Sequence, residues 1–289
     1  MTGVIILNYF TCEDTIALYR QIVEFPDLIV LVVDNSCDTE EADELKAVIP
    51  EEQLLISPQN MGYAGGNNLG ILSMLDHPEV DLVALLNPDV CLEGNILPAL
   101  REMFEVDPEL AAAGPRLCIR GSDEEIIYSD GGILAGERFL KPSHIHGRLP
   151  VHEAEPSIGR KIDYVNGSFI VMRVDAIRDI GMFDENFFLY FEEVDWCTRA
   201  RKKGWKLQVN PGFTAFQRIS EKGTRYNYYY YRGWFLYLHK YDKKSILPLL
   251  FHQLKKIKWK LQNRDIPWER RIEIAWSRFK GVMAGVFNF

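Results

Sequence analysis

Three carboxylates fall within four residues at Glu192, Glu193 and Asp195, directly after an aromatic stretch, Phe187-Phe188-Leu189-Tyr190-Phe191. Acidic groups in a first helical turn stabilise the helix dipole, which accounts for one or two of them but not for the rings in front. A carboxylate held beside apolar surface has its pKa pushed upward, and such a group suits general-base work. Asn87-Pro88-Asp89 offers an oxygen ligand for a hard divalent cation on a diphosphate, although an Asx-Pro turn uses the same residues. Asp34-Asn35-Ser36 offers a carboxylate and an amide to a nucleobase or ribose, or simply a turn. Gly62, Gly65 and Gly66 cluster after Asn60, where backbone can approach a ligand closely and a helix N-terminus favours an anion such as a diphosphate. No GxGxxG or GK[ST] is present, so this segment is neither a dinucleotide fingerprint nor a P-loop.

Such residues act only if the chain brings them together. Apolar runs at residues 4–8, 28–34, 54–57 and 82–87 read as strands, and amphipathic stretches at 13–24, 40–49 and 64–75 as helices. Thr11 is placed to cap the first helix, with Asp14 three residues on as in a capping box. Near-continuous apolar strands separated by helices predict an α/β fold with a mostly parallel central sheet flanked by helices. In such sheets ligands sit beyond the carboxyl ends of the strands, and each strand here ends in polar residues: Asn8, Asp34 to Ser36, Ser57 to Asn60, and Asn87 to Asp89. Residues 126–160, with His144, His146 and His152, read as loops and hairpins. A strand over 165–173, a helix over 194–203 and a strand over 205–209 follow, and the pattern is helical from Tyr226 onward.

The motifs Asp34-Asn35-Ser36, Asn60 to Asn67, Asn87-Pro88-Asp89, Asn166-Gly167-Ser168 and Phe191-Glu192-Glu193-Val194-Asp195, taken in order, resemble those of the family-2 glycosyltransferases. The likeness covers roughly residues 3–240 and is strongest to the rhamnosyltransferase-like branch that builds bacterial surface polysaccharides. It implies a GT-A fold and an inverting, metal-dependent transfer from a nucleotide sugar. Asn8 and Tyr9 would line the nucleoside pocket, and Asp34 and Asn35 would read base and ribose. Asn60, Gly62, Gly65 and Asn67 would lie against the donor, with Asn87 beside it, and Asp89 would bind Mg²⁺ or Mn²⁺ on the diphosphate. Glu193 falls at the catalytic-base position with Glu192 as the adjacent candidate. Asp195 and Arg199 would order that site, while Gly167 and Trp196 would face the acceptor.

Two departures from the pattern stand out. The family usually carries Asp where Glu193 stands, one methylene longer. It also commonly supplies a His before a Ser, and Phe216-Gln217-Arg218-Ile219-Ser220 has none. Gln217 would be a neutral substitute, or Arg218 would neutralise the diphosphate directly. Many relatives carry a further Asp at the position of Asn87.

Composition frames these expectations. The 289 residues are 47% hydrophobic with a net charge of −8, which argues against disorder and against nucleic acid as a partner. Residues 1–239 hold 21 Lys/Arg against 37 Asp/Glu, whereas residues 240–289 hold 12 against 4. The division expected is a catalytic domain over 1–240 and a basic amphipathic helical C-terminal extension over 241–289. That extension reads as a pair of helices attracted to anionic lipid headgroups, or as a solvated face or homodimer interface made from the same stripe. Five scattered cysteines read as buried, reduced thiols. Met1-Thr2-Gly3 running straight into an apolar strand predicts no signal peptide, and no run of about 18 apolar residues occurs. The expected setting is cytoplasmic, peripheral on the inner face of the membrane. The donor that the family resemblance implies is dTDP-rhamnose, or else a UDP-sugar, and the acceptor it implies is a growing or lipid-linked glycan. A sugar nucleotidyltransferase and a non-catalytic scaffold of a polysaccharide-synthesis complex are the rivals; the former would want a Gly-rich loop with Arg and Lys after the first strand, where Asn8-Tyr9-Phe10-Thr11 stands instead.

Overall fold

A computed structural model describes residues 1–121, 124–134, 138–155, 159–219, 222–262 and 267–287. The first half alternates β1 (Thr2–Asn8), α1 (Cys12–Ile22), β2 (Leu28–Asp34), α2 (Thr39–Lys46), β3 (Leu54–Ile56), α3 (Gly62–Leu75) and β4 (Leu82–Leu86). Then come β5 (Cys91–Leu92), α4 (Leu97–Val106), β6 (Leu110–Ile119), β7 (Ile127–Ser129), β8 (Gly132–Ile133) and β9 (Ser143–His144). The second half holds β10 (Phe169–Arg173), α5 (Val174–Ile180), α6 (Glu192–Lys202), β11 (Lys206–Gln217), α7 (Thr224–Tyr241), α8 (Ile246–Gln262) and α9 (Trp268–Phe287).

The main sheet runs β3-β2-β1-β4-β10-β6-β11-β5, with β7 on β6. β3, β2, β1 and β4 are mutually parallel, and β6 and β11 are parallel to each other. β10 is antiparallel to both β4 and β6, so the sheet is mixed. Alternate side chains of the buried strands feed two cores. Ile5, Leu7, Val33 and Leu85 pack with α3, α5 and α6; Val4, Ile6, Val32 and Leu86 pack with α1 and α4. Burial on both faces is why these strands read as continuous apolar runs.

Several local expectations change, and the strand expected over 165–173 begins only at Phe169. Thr11 makes no capping bond; its hydroxyl donates to Asn8 Oδ1 (3.2 Å), and Asp14 turns instead to Arg218. The strand expected over 205–209 continues to Gln217, because Asn210-Pro211-Gly212 is a bulge rather than a turn. It lies opposite Pro115 of β6, which has no N–H to give, and β11 shifts register between Asn210 and Thr214 there. Of the five free cysteines, Cys12, Cys118 and Cys197 are buried, but Cys37 is exposed.

The last three helices form one assembly. Gly281 and Gly285 let α9 lie in backbone contact with α7; a Cβ on Gly281 would stand 2.2 Å from the Tyr228 carbonyl oxygen. α8 runs antiparallel to α9, with Gln253 level with Arg278 and Leu261 level with Arg271.

Candidate active site at the carboxyl edge of the sheet

Topology gathers the polar motifs. Asn8 and Asp34 end neighbouring parallel strands, and residues 87–89 follow the end of β4. Because β10 is antiparallel, its entry turn Asn166-Gly167-Ser168 reaches the same edge. The Asn87 backbone N–H donates to the Ser168 carbonyl (2.9 Å), and Ser168 N–H donates to Asn166 Oδ1 (2.9 Å).

Asn8 is fully buried and saturated. Its Nδ2 donates to Asp34 Oδ1 (2.9 Å) and Glu41 Oε2 (2.9 Å), while its Oδ1 accepts from Thr15 and Thr11. It therefore positions Asp34 and has no free group for a nucleoside, a correction to its expected role. Asp34 Oδ1 accepts from Asn8 and from Ser36 N–H (3.0 Å), but its buried Oδ2 has no partner. Asn35 is also consumed internally: Nδ2 donates to Asn60 Oδ1 and the Gly62 carbonyl, and Oδ1 accepts from Met61 N–H. Tyr9 remains half-exposed, with the Arg225 guanidinium 4.8 Å from its ring centre.

The glycine cluster serves packing. A Cβ on Gly66 would lie 2.6 Å from Leu7 Cδ1, and one on Gly65 would lie 2.7 Å from Met61 Cβ. Gly62 has φ +69°, and a Cβ there would stand 2.3 Å from the Phe188 carbonyl oxygen. The N–H of Gly62 donates to Asn60 Oδ1 and that of Ala64 to the Phe188 carbonyl. The expected anion cradle at this helix start is thus occupied by the protein's own acceptors. Asn67 is buried and donates to the Tyr63 carbonyl; its neighbour Asn68, to which the sequence assigns no role, holds Phe183 and Glu185.

What the α3 turn grips is the strained segment before α6. Phe188, Tyr190 and Phe191 all have positive φ (61°, 67° and 76°), a conformation costly for bulky side chains. Rings of α7 pin it: Tyr229 stacks on Phe188 at 4.8 Å, Tyr226 meets Tyr190 at 5.3 Å, and Tyr230 meets Phe191 at 5.3 Å. The segment delivers Glu192 and Glu193 to the first turn of α6, each with a buried Oε2 that has no hydrogen-bond partner. Burial pushes the Glu193 carboxyl up to about 7, against the pull of N–H groups of Phe191, Glu193 and Val194. Burial, then the adjacent Glu193 charge, raise Glu192 well above the carboxylate range. Gly167 lets the β10 entry turn pass close by: a Cβ there would lie 3.5 Å from Glu193 Cγ. Its carbonyl accepts from the Tyr63 hydroxyl (2.6 Å), which burial and both glutamates keep protonated.

Two neighbours on α6 have other duties. Asp195 is fully buried, with Oδ2 accepting from Arg199 Nε (2.9 Å) and Oδ1 from the Tyr241 hydroxyl (2.8 Å) and Lys240 Nζ (2.5 Å). Arg199 also donates to the carbonyls of Ile180 and Met182, so this pair ties α6 to α7 and to the loop before the strained segment. With both oxygens taken, Asp195 is not a free carboxylate, a correction to its place among the catalytic candidates. Trp196 is fully buried in the core with Nε1 on the Gly181 carbonyl, so it cannot wall an acceptor.

Asp89 lies where β5 and β11 pair, and its carboxylate accepts from the Arg218 backbone N–H. Burial, helped by the Asp14 charge, raises its pKa. Beside it, Gln217 is buried with a partnerless Oε1, while its amide N–H donates to the Tyr128 hydroxyl. No cluster of three or more His, Cys, Asp or Glu suited to a metal occurs among the described residues. One carboxylate and one neutral oxygen still suit Mg²⁺ or Mn²⁺, which keeps waters and takes further ligands from phosphate. Arg218 does not stand free: its fork grips Asp14 at 2.8 and 2.9 Å. Ser220 lies outside the described residues. Tyr128, which no sequence motif marked, is half-buried and feels the charges of both Glu193 and Asp89.

This architecture is that of the GT-A glycosyltransferases. The fold matches two solved structures: GalNAc-T7 with UDP, GalNAc and Mn²⁺ (TM-score 0.62, 11% identity, 97% of this chain and 54% of that one) and the mannosyltransferase PcManGT from Pyrobaculum calidifontis with GDP-Man and Mn²⁺ (TM-score 0.54, 13%, 98% and 73%). A family profile described as "Glycosyltransferase like family 2" matches residues 17–227, and the chain belongs to that family. It is similar to the low-salt glycan biosynthesis hexosyltransferase Agl10 of Haloferax volcanii, at 26% identity over 99% of this chain and 91% of the relative. It is also similar to N-acetylglucosaminyl-diphospho-decaprenol L-rhamnosyltransferase of Mycobacterium tuberculosis, at 28% over 61% of this chain and 62% of that one.

Proposed function

We propose that the chain is an inverting transferase that moves a sugar from a pyrimidine-nucleotide donor to a growing or lipid-linked glycan of the cell surface, working on the cytoplasmic face of the membrane. The observation that carries this reading is Glu193, a buried carboxyl raised to about 7 beside the Gly167 turn, on the same sheet edge as the partnerless Asp34 Oδ2. Asp34 Oδ2 would accept from the nucleoside. Glu193 would take the acceptor hydroxyl proton as that oxygen bonds to the anomeric carbon and the bond from this carbon to the diphosphate breaks, which inverts the configuration. A bound Mg²⁺ or Mn²⁺ would neutralise the leaving diphosphate, and Asp89 with Gln217 Oε1 would hold it. Tyr63, kept protonated, would fix the Gly167 turn against the base.

dTDP-rhamnose is the first donor of this reading, supported by the rhamnosyltransferase relatives. A UDP-hexose is the second, favoured because the relative matching 99% of the chain is named a hexosyltransferase. Ligand-observed NMR against dTDP-rhamnose, UDP-glucose, UDP-galactose, UDP-N-acetylglucosamine and GDP-mannose, with and without Mn²⁺, tests both. Selective binding of one pyrimidine donor, tightened by metal, is the expected result. Binding of GDP-mannose alone would overturn the pyrimidine donor, and binding of none would overturn the transferase reading and return weight to a non-catalytic scaffold.

A further inference from the structure

We propose that the α8–α9 pair is a docking surface for an anionic lipid bilayer, one that presents the acceptor side of the site to the membrane. Large apolar side chains that a water-facing helix would avoid stand exposed on both helices. Phe251 and Trp259 are 63% and 67% exposed on α8, and Trp268 and Trp276 are 58% and 54% exposed on α9. They are not scattered. Leu247 and Phe251 are one turn apart on α8, and Trp268, Ile272 and Trp276 recur every fourth residue along one stripe of α9.

Charge selects the occupant. α8 carries four lysines and no acidic residue, in a chain whose first 239 residues hold 21 Lys/Arg against 37 Asp/Glu. The cations stand beside the rings: Arg271 is 5.4 Å from the centre of the Trp268 ring and Lys280 is 5.4 Å from that of Trp276. Tryptophan with adjacent Lys or Arg is the side-chain pairing that suits the level of lipid headgroups, with rings in the acyl boundary and cations on phosphate. A second copy meeting the same face would oppose two basic surfaces. Among the described residues no helix is long and apolar enough to cross a membrane, so the pair would lie on the bilayer rather than span it.

The surface is mechanically joined to the site. α9 contacts the α7 backbone through Gly281 and Gly285, and α7 holds the strained segment before Glu192 and Glu193 through its tyrosines. A bilayer under α8–α9 therefore fixes the catalytic segment relative to the membrane. Only this delivery of a membrane-borne acceptor rests on the transferase reading; lipid binding does not.

Co-sedimentation of the full chain with phosphatidylcholine vesicles, with and without about 30% phosphatidylglycerol, tests the surface. The protein should pellet with the anionic vesicles only, with binding weakened at least about tenfold by changing Lys255, Lys256, Lys258 and Lys260 to Glu. Changing Trp259, Trp268 and Trp276 to Ser should have a like effect, with unfolding midpoints unchanged. In the wild-type protein, brominated lipid should quench tryptophan fluorescence. Equal pelleting of wild type and both variants, or equal binding to neutral vesicles, would overturn the proposal. So would a dimer in light scattering that the tryptophan variant dissociates. Donor binding measured on the same sample separates the two claims: vesicle binding without donor binding would sink the transferase reading and leave the lipid surface standing.

Discussion

The two ends of the site are built on opposite principles. At the end proposed for the nucleoside, Asn8 spends its hydrogen bonds on Asp34, Glu41 and two threonines, and Asn35 and Asn60 spend theirs on each other and on nearby backbone, while the buried Asp34 Oδ2 is left without a partner. At the end proposed for the base, two adjacent glutamates keep partnerless buried oxygens, and the backbone before them is held at positive φ by aromatic packing. A saturated network recognises a fixed shape with little reorganisation. An unsatisfied carboxylate stores a cost that a reacting proton relieves. The first arrangement suits binding and the second suits chemistry.

Breaking the base end should have the largest effect. Glu193→Gln is expected to slow transfer by about 10²–10⁴-fold in a single-turnover assay, while donor affinity by calorimetry stays within about twofold. Breaking the nucleoside end should reverse the pattern: Asp34→Asn is expected to weaken donor binding by about 10–100-fold, because an amide NH₂ would replace the buried acceptor oxygen that has no partner within the protein. Gly62→Ala attacks the joint between the two ends, since the new Cβ meets the Phe188 carbonyl oxygen at positive φ. Urea unfolding should show a loss of about 1–3 kcal/mol.

Titration sharpens the contrast. A carboxyl whose folded pKa is raised contributes fully below its unfolded value, and that contribution is lost as pH rises through the folded one. Glu192→Gln should therefore raise the thermal midpoint at pH 8 by about 2 °C and leave it unchanged near pH 4. Arg218→Ala should do least, changing donor affinity by under about threefold, because its fork is already committed to Asp14.

Much of the fold was legible because strands buried on both faces read as uninterrupted apolar runs, and the polar residues that end them mark the site edge. β6 and the full length of β11 were not, since Gly114-Pro115 and Asn210-Pro211-Gly212 look like breaks until one strand bulges where the other lacks an N–H. The motifs located the site but did not separate residues that face it from those that support it. Nothing local shows that Asn8 is saturated, that Trp196 points into the core or that the glycines after Asn60 serve helix packing, because each depends on partners far along the chain. Tyr128 belongs to the three-residue strand β7 that pairs with β6, and it carried no signal at all.

The central claim is that Glu193 is the base, and the pH dependence of transfer tests it most directly. Single-turnover rates for the wild-type enzyme should rise tenfold per pH unit and level off near about 7, as the Glu193 carboxyl loses its proton. The residual rate of Glu193→Gln should be flat over the same range. A Glu193→Gln profile that keeps the wild-type inflection would contradict the account and move the base to another group.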